Sequence, residues 1–166
     1  SLAATKKFGL QLAKILPRGA IVVLQGPLGA GKTTLVKSIV RGLGIRSAVS
    51  SPTFVLRKHY PVPARSGAAF AVQHVDAYRL RTLRELRGIL DEDMAEHARD
   101  IWLIEWGKRF ARVFPQHRTW VVRLALTGKN ERSATLERPY EPVHHLMSSH
   151  TAPPLRANAV NPHTTA

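Results

Sequence analysis

Residues 26–33, GPLGAGKT, match the phosphate-binding pattern G-x-x-x-x-G-K-[ST]. An apolar run at residues 20–24 precedes the motif, and an amphipathic stretch at residues 32–43 follows it. A strand, a glycine-rich loop and a helix in this order form a P-loop, so the flanking residues favour the motif over a chance glycine-rich turn. The motif points to an α/β fold and predicts that the chain binds a nucleoside triphosphate.

Each part of the motif has a role in holding phosphate. Its glycines let successive backbone N–H groups point at phosphate oxygens, and the following helix adds the positive end of its dipole. Lys32 is expected to reach the β- and γ-phosphates, and Thr33 to place its hydroxyl on Mg²⁺. The residues predicted to contact the nucleotide in this segment are Gly26, Leu28, Gly29, Ala30, Gly31, Lys32, Thr33 and Thr34.

A P-loop also needs a carboxylate that holds Mg²⁺, usually at the carboxyl end of a neighbouring buried strand. Glu105 follows the apolar residues 101–104, which is a Walker B-like pattern. Asp76 ends a predicted strand at residues 70–75, but a strand-end Asp is also a common turn or cap residue. The acids at residues 91–96 lie in a polar run that is typical of a solvated helix face. The pattern therefore favours Glu105 as the metal ligand and leaves the role of Asp76 open.

Residues 50–53, SSPT, lie between the P-loop helix and a predicted strand, the position of switch I in P-loop NTPases. A threonine hydroxyl or backbone group can sense the γ-phosphate and Mg²⁺ there, which makes Thr53 a candidate. A Ser-Pro turn that opens a strand explains the same residues equally well. The residues alone leave both interpretations open.

The charge of the chain is unevenly distributed along its 166 residues. Residues 1–75 contain eleven Lys or Arg and no acid, whereas the remainder contains fourteen basic and eleven acidic residues, for a net charge of +14. This asymmetry suits a nucleotide pocket and an anionic partner such as RNA, although a generally Arg-rich composition explains it equally well.

Composition disfavours several classes of protein. The absence of cysteine excludes a disulfide framework and a Cys-based zinc site. No apolar run approaches the roughly 18 residues of a membrane helix, and no signal-peptide core is present, so we expect a cytoplasmic protein without a membrane contact. The chain begins with Ser1 rather than methionine, which removal of a short leader would explain.

Periodicity and turn residues predict a single domain at residues 1–138 and a Pro-containing tail at residues 139–166, which we expect to be disordered. Helices are predicted at residues 2–16, 32–43 and 82–90, with more helix beyond the acids at 91–93. Strands are predicted at residues 20–25, 53–60, 70–75, 101–104, 119–126 and 133–137, with a turn at 61–67.

A series of motifs in a fixed order resembles one bacterial family, TsaE (also called YjeE), the ATPase needed for threonylcarbamoyladenosine in tRNA. The motifs are GPLGAGKTTL at 26–35, SPTFVL at 51–56, HVDAYRL at 74–80, LRELRG at 83–88 and IEW at 104–106. Many families share the P-loop, but the whole series is specific. The resemblance runs from about residue 4 to residue 136.

The resemblance implies a single-domain P-loop NTPase-like α/β fold in three layers, with a mostly parallel central sheet and antiparallel additions. It implies Mg²⁺-dependent ATP hydrolysis and action together with the TsaB and TsaD proteins. We expect slow hydrolysis in the chain alone, because the sequence supplies no evident catalytic arginine finger and Arg79 is the nearest candidate. TsaD would transfer the threonylcarbamoyl group to adenosine 37, so tRNA would be met indirectly or at the complex. No homo-oligomer is required.

The resemblance also implies roles for individual residues. Thr33 and Glu105 would be the metal ligands, and Asp76 would be the acid needed for hydrolysis. Other implied positions are the switch residue Thr53, the phosphate-binding Lys32, Arg132 near the nucleotide and Thr5 near the base. Two departures stand out: residues 107–109, GKR, replace the Pro or acid common after the EW pair, and the usual first strand before the N-terminal helix is missing.

Other classes share a P-loop and remain alternatives on the residues alone. A small-molecule kinase would add an acceptor pocket and an Arg-rich lid, which Arg79, Arg81 and Arg84 could imitate. A nucleotide-gated RNA-binding or assembly module would show negligible turnover. A GTPase is disfavoured because no Asn-Lys-x-Asp motif is present. ATPase rates with and without partners, with a phosphoryl-transfer assay, separate these classes.

Overall fold

A six-stranded sheet forms the centre of the molecule in our computed structural model, which describes residues 1–52, 54–63, 69–128 and 131–139. The strands are β1 (Ile21–Gln25), β2 (Arg57–Pro61), β3 (Ala71–Asp76), β4 (Ile101–Glu105), β5 (Thr119–Leu126) and β6 (Arg132–Glu137). Their order is β2-β3-β4-β1-β5-β6, in which β3, β4, β1 and β5 run parallel. The edge strands β2 and β6 are antiparallel to their neighbours, as the predicted fold class requires.

Helices cover both faces of this sheet. On one face, α1 (Leu2–Ile15) and α2 (Lys32–Gly42) pack over alternate residues of β1, Val22 and Leu24. On the other face, α3 (Leu83–Glu96) and the 3₁₀ segment Gly107–Val113 pack over Ile21 and Val23. A second 3₁₀ segment, Gln116–Arg118, leads into β5. The three predicted layers are confirmed, and β1 and β4 are fully buried because helices cover them on both sides.

The ends of α1 and α2 lie close to their predicted positions. The first helix stops just before Pro17, which cannot continue a helix. After α2, Gly44 has a left-handed φ of 87°, its N–H donates to Arg41, and the N–H of Ile45 donates to Val40. These two bonds form a Schellman motif, which ends the helix at a glycine.

The predicted strand at residues 53–60 is wrong at its start, because β2 begins only at Arg57. The N–H groups of Val55 and Leu56 turn back to the Pro52 carbonyl oxygen at 2.9 and 2.7 Å, and Leu56 has a φ of 61°. Phe54 is 85% exposed, so its apolar character does not reflect burial in the sheet. An exposed apolar turn and a buried strand share the same composition, which explains the error.

The helix predicted at residues 82–90 continues without a break to Glu96. Several predictions lie outside the described residues: Thr53, most of the turn at 61–67, and all of the tail beyond Pro139. Within the described ranges, no helix is both long and apolar enough to cross a membrane.

Candidate functional site

The carboxyl ends of β1, β3 and β4 meet at one edge of the sheet, where ligands bind in open α/β folds. The P-loop leaves β1 at this edge and enters α2. Gly26 has a φ of 142°, and a Cβ there would clash with the Leu124 carbonyl oxygen of β5. The loop therefore passes so close to β5 that only glycine fits at its first position.

Lys32 begins α2 beneath the loop and is 5% exposed. Its Nζ donates to the Gly26 and Pro27 carbonyl oxygens, both at 2.8 Å, and lies 3.6 Å from the centre of the Trp106 ring. Burial lowers the pKa of this ammonium from its usual 10.5, while the Glu105 carboxylate and a second nearby acid oppose the shift. The cation is thus held inside the loop, where the motif predicts the terminal phosphates of a nucleotide.

Thr33 and Glu105 lie in direct contact. The Thr33 hydroxyl donates to both carboxylate oxygens of Glu105, at 3.0 and 3.1 Å. Glu105 is 2% exposed, and its Oε1 also lies 2.9 Å from Nε2 of His74 on β3. The two predicted metal ligands therefore form one hydrogen-bonded unit with a buried imidazole.

Asp76 lies next to this unit, because β3 and β4 pair in a register that places Asp76 opposite Glu105. The Asp76 carboxylate accepts from the Ser51 hydroxyl at 3.2 Å and from the Tyr78 N–H at 3.0 Å. Its contact with Ser51 joins it to the segment just before the predicted switch residue. Asp76 is thus placed between the P-loop, the switch segment and Glu105.

The remaining predicted nucleotide contacts surround the loop. An open cavity of about 350 Å³ is lined, among others, by Leu28, Gly29, Gly31, Lys32, Thr33, Thr34, Asp76 and Glu105. A Cβ on Gly31 would lie 3.7 Å from Thr5 Cγ2 and 4.0 Å from Arg132 Cδ. Thr5 and Arg132 therefore flank the loop from α1 and β6, while Ala30 is fully buried behind it. The position of Thr53 is not among those described.

Sequence reasoning gave no role to His74 and no firm role to Trp106. The signal for His74 was available: it lies two residues before Asp76 on one strand, so both side chains share a face. Trp106 has a left-handed φ of 62°, and its ring lies 5.0 Å from the Tyr78 ring. Its contact with Lys32 depends on this turn after β4, which sequence periodicity does not reveal.

The donors at this edge suit a hard divalent cation. A hydroxyl and a carboxylate are oxygen ligands, and Mg²⁺ is commonly held by one or two protein groups together with phosphates and water. In the described part of the chain, no group of three or more His, Cys, Asp or Glu is arranged to hold a metal by itself. The chemistry of Thr33 and Glu105 therefore fits Mg²⁺ that arrives with a nucleotide.

Comparison with known proteins places this site in a family context. The sequence model of the family described as threonylcarbamoyl adenosine biosynthesis protein TsaE matches residues 1–134. The tRNA threonylcarbamoyladenosine biosynthesis protein TsaE of Treponema pallidum is 33% identical over 132 residues, covering 80% of this chain and 92% of that protein. The protein of the same name from Streptomyces coelicolor is 36% identical over 147 residues, covering 80% and 95%.

A solved structure is similar in fold as well as in sequence. The crystal structure of Bacillus subtilis YdiB matches with a TM-score of 0.65 and 28% identity, covering 84% of this chain and 82% of that one. The matched residues 1–134 contain the P-loop and both strand-end acids. The resemblance expected from the order of the motifs is confirmed, and the chain belongs to the TsaE family of tRNA threonylcarbamoyladenosine biosynthesis proteins.

Proposed function

We propose that the chain is a Mg²⁺-dependent ATPase that supports threonylcarbamoylation of adenosine 37 in tRNA, together with the TsaB and TsaD proteins. The observation that carries this proposal is the convergence of Lys32, the Thr33–Glu105 pair and Asp76 at the mouth of one P-loop. A cation, two oxygen donors and a further acid are the groups that ATP hydrolysis requires.

The P-loop residues would bind the triphosphate. The backbone N–H groups of residues 28–34 would face the phosphates, and Lys32 would exchange the Gly26 and Pro27 carbonyls for phosphate oxygens. Thr33 and Glu105 would hold Mg²⁺, which neutralises charge on the phosphates when it is bound. Thr5 and Arg132 lie beside Gly31, where they would contact the rest of the nucleotide.

Asp76 is the residue we assign to the hydrolytic step. Its carboxylate lies at the end of β3, 3% exposed, and would accept a hydrogen bond from the attacking water. The Ser51 contact gives the switch segment a means of orienting this carboxylate. We assign Thr53 the role of sensing the γ-phosphate from that segment.

The surroundings of the site favour slow turnover in the chain alone. Arg79 is the first arginine after Asp76 in the chain and is the nearest candidate for a catalytic arginine. Its guanidinium carbon lies 5.0 Å from the centre of the Phe54 ring, so the side chain is engaged in a cation–π contact. Leu28 lines the cavity and is 84% exposed, and Tyr78, which is 60% exposed, lies beside the ring of Trp106, another lining residue. Phe54 is 85% exposed and follows the lining residue Ser51 by three positions. Exposed apolar side chains that lie together mark interaction surfaces. A partner that covers these side chains would order the switch segment and exclude water, so we expect TsaB and TsaD to stimulate hydrolysis.

Charge supports an anionic partner surface, either acidic protein or tRNA. Most of the net charge of +14 comes from the part of the chain before Asp76, which is the first acidic residue. Exposed charges act over about 8 Å at physiological ionic strength, so association with an anionic surface weakens as salt rises. We place the protein in the cytoplasm with the tRNA that it serves, and the proposal requires no self-association.

The proposal is tested by reconstitution with a TsaB–TsaD complex. Phosphate release from ATP is measured for the chain alone, for the mixture, and for both with Lys32→Met in place of the wild type. Slow release alone, stimulation by the complex, and loss of both with Lys32→Met are expected. A pull-down at low and high salt, with and without ATP, measures association. Failure to associate at low salt in either nucleotide state contradicts the partner assignment.

A further inference from the structure

His74 is a buried imidazole that the proposed roles leave without a purpose. It lies on β3 and is fully buried. Its Nε2 lies 2.9 Å from Glu105 Oε1, whereas its Nδ1, also buried, has no hydrogen-bond partner among the described residues. A buried polar atom without a partner costs free energy of folding, so a hydrophobic residue would be the simpler choice for this position. Among the described residues, the bond from Nε2 to Glu105 is therefore the contact that can give this imidazole a function.

The direction of this bond follows from the chemistry of its partner. An ionised carboxylate has no hydrogen to donate, so the shared hydrogen belongs to Nε2 of His74. Nδ1 has no acceptor near it in the described chain, so Nε2 is the ring atom that makes the bond. His74 thus donates to Glu105.

The bond makes the two oxygens of Glu105 unequal. Oε1 accepts from His74 and from the Thr33 hydroxyl, while Oε2 accepts from Thr33 at 3.1 Å. The Thr33 hydroxyl has one hydrogen, which the two oxygens share, so the added bond from His74 leaves Oε2 with more acceptor capacity than Oε1. Glu105 also lines the cavity of the P-loop, where such capacity is available to a cation or its water.

The strands hold both ends of the bond in place. In the register of β3 and β4, His74 is opposite Leu103 and Asp76 is opposite Glu105. Residues 74 and 76 of β3 share a face with residues 103 and 105 of β4, because side chains alternate along a strand. The imidazole is therefore fixed by the sheet itself rather than by a loop.

We propose that His74 is a positioning residue for Mg²⁺: by donating from Nε2 to Oε1 of Glu105, it holds the carboxylate against Thr33 in the orientation in which the pair would hold the metal. This inference rests on the proposed function, since it requires Mg²⁺ to bind with the nucleotide. Hydrogen bonds to the far side of metal-ligating groups orient them, and their loss commonly weakens metal binding or activity by about 10- to 100-fold.

The test measures binding rather than turnover. Calorimetry gives the dissociation constant of a non-hydrolysable ATP analogue, adenylyl imidodiphosphate, in excess Mg²⁺ and in EDTA. We expect the wild type to bind more tightly in Mg²⁺. His74→Met keeps the volume of the side chain but removes the donor, so it should retain the EDTA affinity and lose about 10-fold of the Mg²⁺-dependent gain. His74→Gln places an amide N–H near the Nε2 position and should recover most of that gain.

Gln73→Met is the matched control. Gln73 is also buried on β3, but its amide donates to Asp100 at 2.7 Å. Asp100 directly precedes β4, so this bond lies towards the amino ends of the strands, whereas the P-loop lies at their carboxyl ends. This variant should melt at a lower temperature with an unchanged Mg²⁺ response. An equal loss of Mg²⁺ response in Gln73→Met would mean general loosening of β3 and would overturn the positioning role.

The outcomes separate this inference from the proposed function. A wild type that gains nothing from Mg²⁺ contradicts the proposed function, and the inference fails with it. If the wild type responds to Mg²⁺ and His74→Met responds equally, the inference alone is overturned. The same holds if a folded His74→Gln loses the Mg²⁺ response as His74→Met does. If His74→Met does not fold, His74→Asn replaces it, because its shorter amide cannot reach Glu105; a full Mg²⁺ response in that variant equally overturns the inference.

Discussion

At the scale of single residues, Lys32 is a buried charge that lowers the stability of the ligand-free protein and is placed to bind an anion. Its ammonium is buried under the P-loop against two carbonyl oxygens and the Trp106 ring. Burial lowers its pKa, so the folded chain holds this proton less tightly than the unfolded chain does. At neutral pH the charge therefore costs free energy of folding, and under the proposed function a bound triphosphate would offset that cost by supplying anionic partners.

Replacing Lys32 by methionine is predicted to stabilise the ligand-free protein while removing nucleotide binding. The penalty is fully present below the lowered pKa and disappears as pH rises through it towards the ordinary value of 10.5. The ligand-free variant should therefore melt at a higher temperature than the wild type at pH 7. The Tm difference between Lys32→Met and wild type should shrink between pH 7 and pH 10.5.

The control for this prediction is Lys37→Met, which removes an exposed lysine from the same helix. Its Tm difference from wild type should stay constant over that pH range. A ligand-free Lys32→Met that melts below the wild type at pH 7 would show that the carbonyl and indole contacts outweigh desolvation.

The two acids are predicted to separate binding from chemistry. Glu105→Gln removes a carboxylate in contact with Thr33, so binding of Mg²⁺ and ATP should weaken. Asp76→Asn keeps the hydrogen-bonding shape but cannot accept a proton, so turnover should fall by about 10²- to 10⁴-fold with affinity little changed. Calorimetry on both variants measures the affinity for Mg²⁺ and ATP, and phosphate release measures turnover. Normal binding and normal turnover in both would make this division of roles wrong.

At the scale of elements, the start of α3 has its own stabilising device. The Glu85 N–H donates to the Thr82 hydroxyl at 3.2 Å, and the Thr82 N–H donates back to the Glu85 carboxylate at the same distance. These reciprocal bonds form a capping box. The carboxylate also accepts from the Arg81 N–H, and these backbone donors lower the pKa of Glu85.

Thr82→Ala is predicted to lower stability by about 1 kcal/mol, the usual cost of losing a cap. For a chain of this length, Tm should fall by about 2–4 °C. Nucleotide affinity should be unchanged, because α3 lies on the sheet face opposite the P-loop helix. Thermal melting and calorimetry on one preparation check both parts. A loss of affinity larger than the loss of stability would mean that α3 is coupled to the site.

Elements with a local signal were predictable, and contacts that depend on strand order were not. The P-loop, its strand and its helix are contiguous, so one motif located them together. The apolar residues 54–56 were misread as strand because exposure cannot be read from composition. The bond between His74 and Glu105 requires β3 to lie beside β4, which no short segment encodes. The sequence identifies Asp76 and Glu105 as separate candidates, but only the pairing of β3 with β4 shows that they lie opposite each other.

At the scale of the whole molecule, the fold gathers distant segments at one edge. Thr5 of α1, the P-loop, Asp76, Glu105 and Arg132 come from five separate parts of the chain. They meet because parallel strands end together and because β6 starts where β5 ends. Leu28 lines the same cavity and is 84% exposed, so under the proposed function a partner that covers it would be coupled to nucleotide binding.

The central claim is that this edge binds ATP in the service of tRNA threonylcarbamoylation. The most direct measurement is the threonylcarbamoyladenosine content of tRNA, by mass spectrometry of digested tRNA, in a bacterial strain that lacks its own TsaE. Expression of this chain is predicted to restore the modification, and Lys32→Met, expressed at the same level, is predicted to leave it absent. Restoration by Lys32→Met as complete as by the wild type would contradict the account, as would failure of a folded, well-expressed wild type.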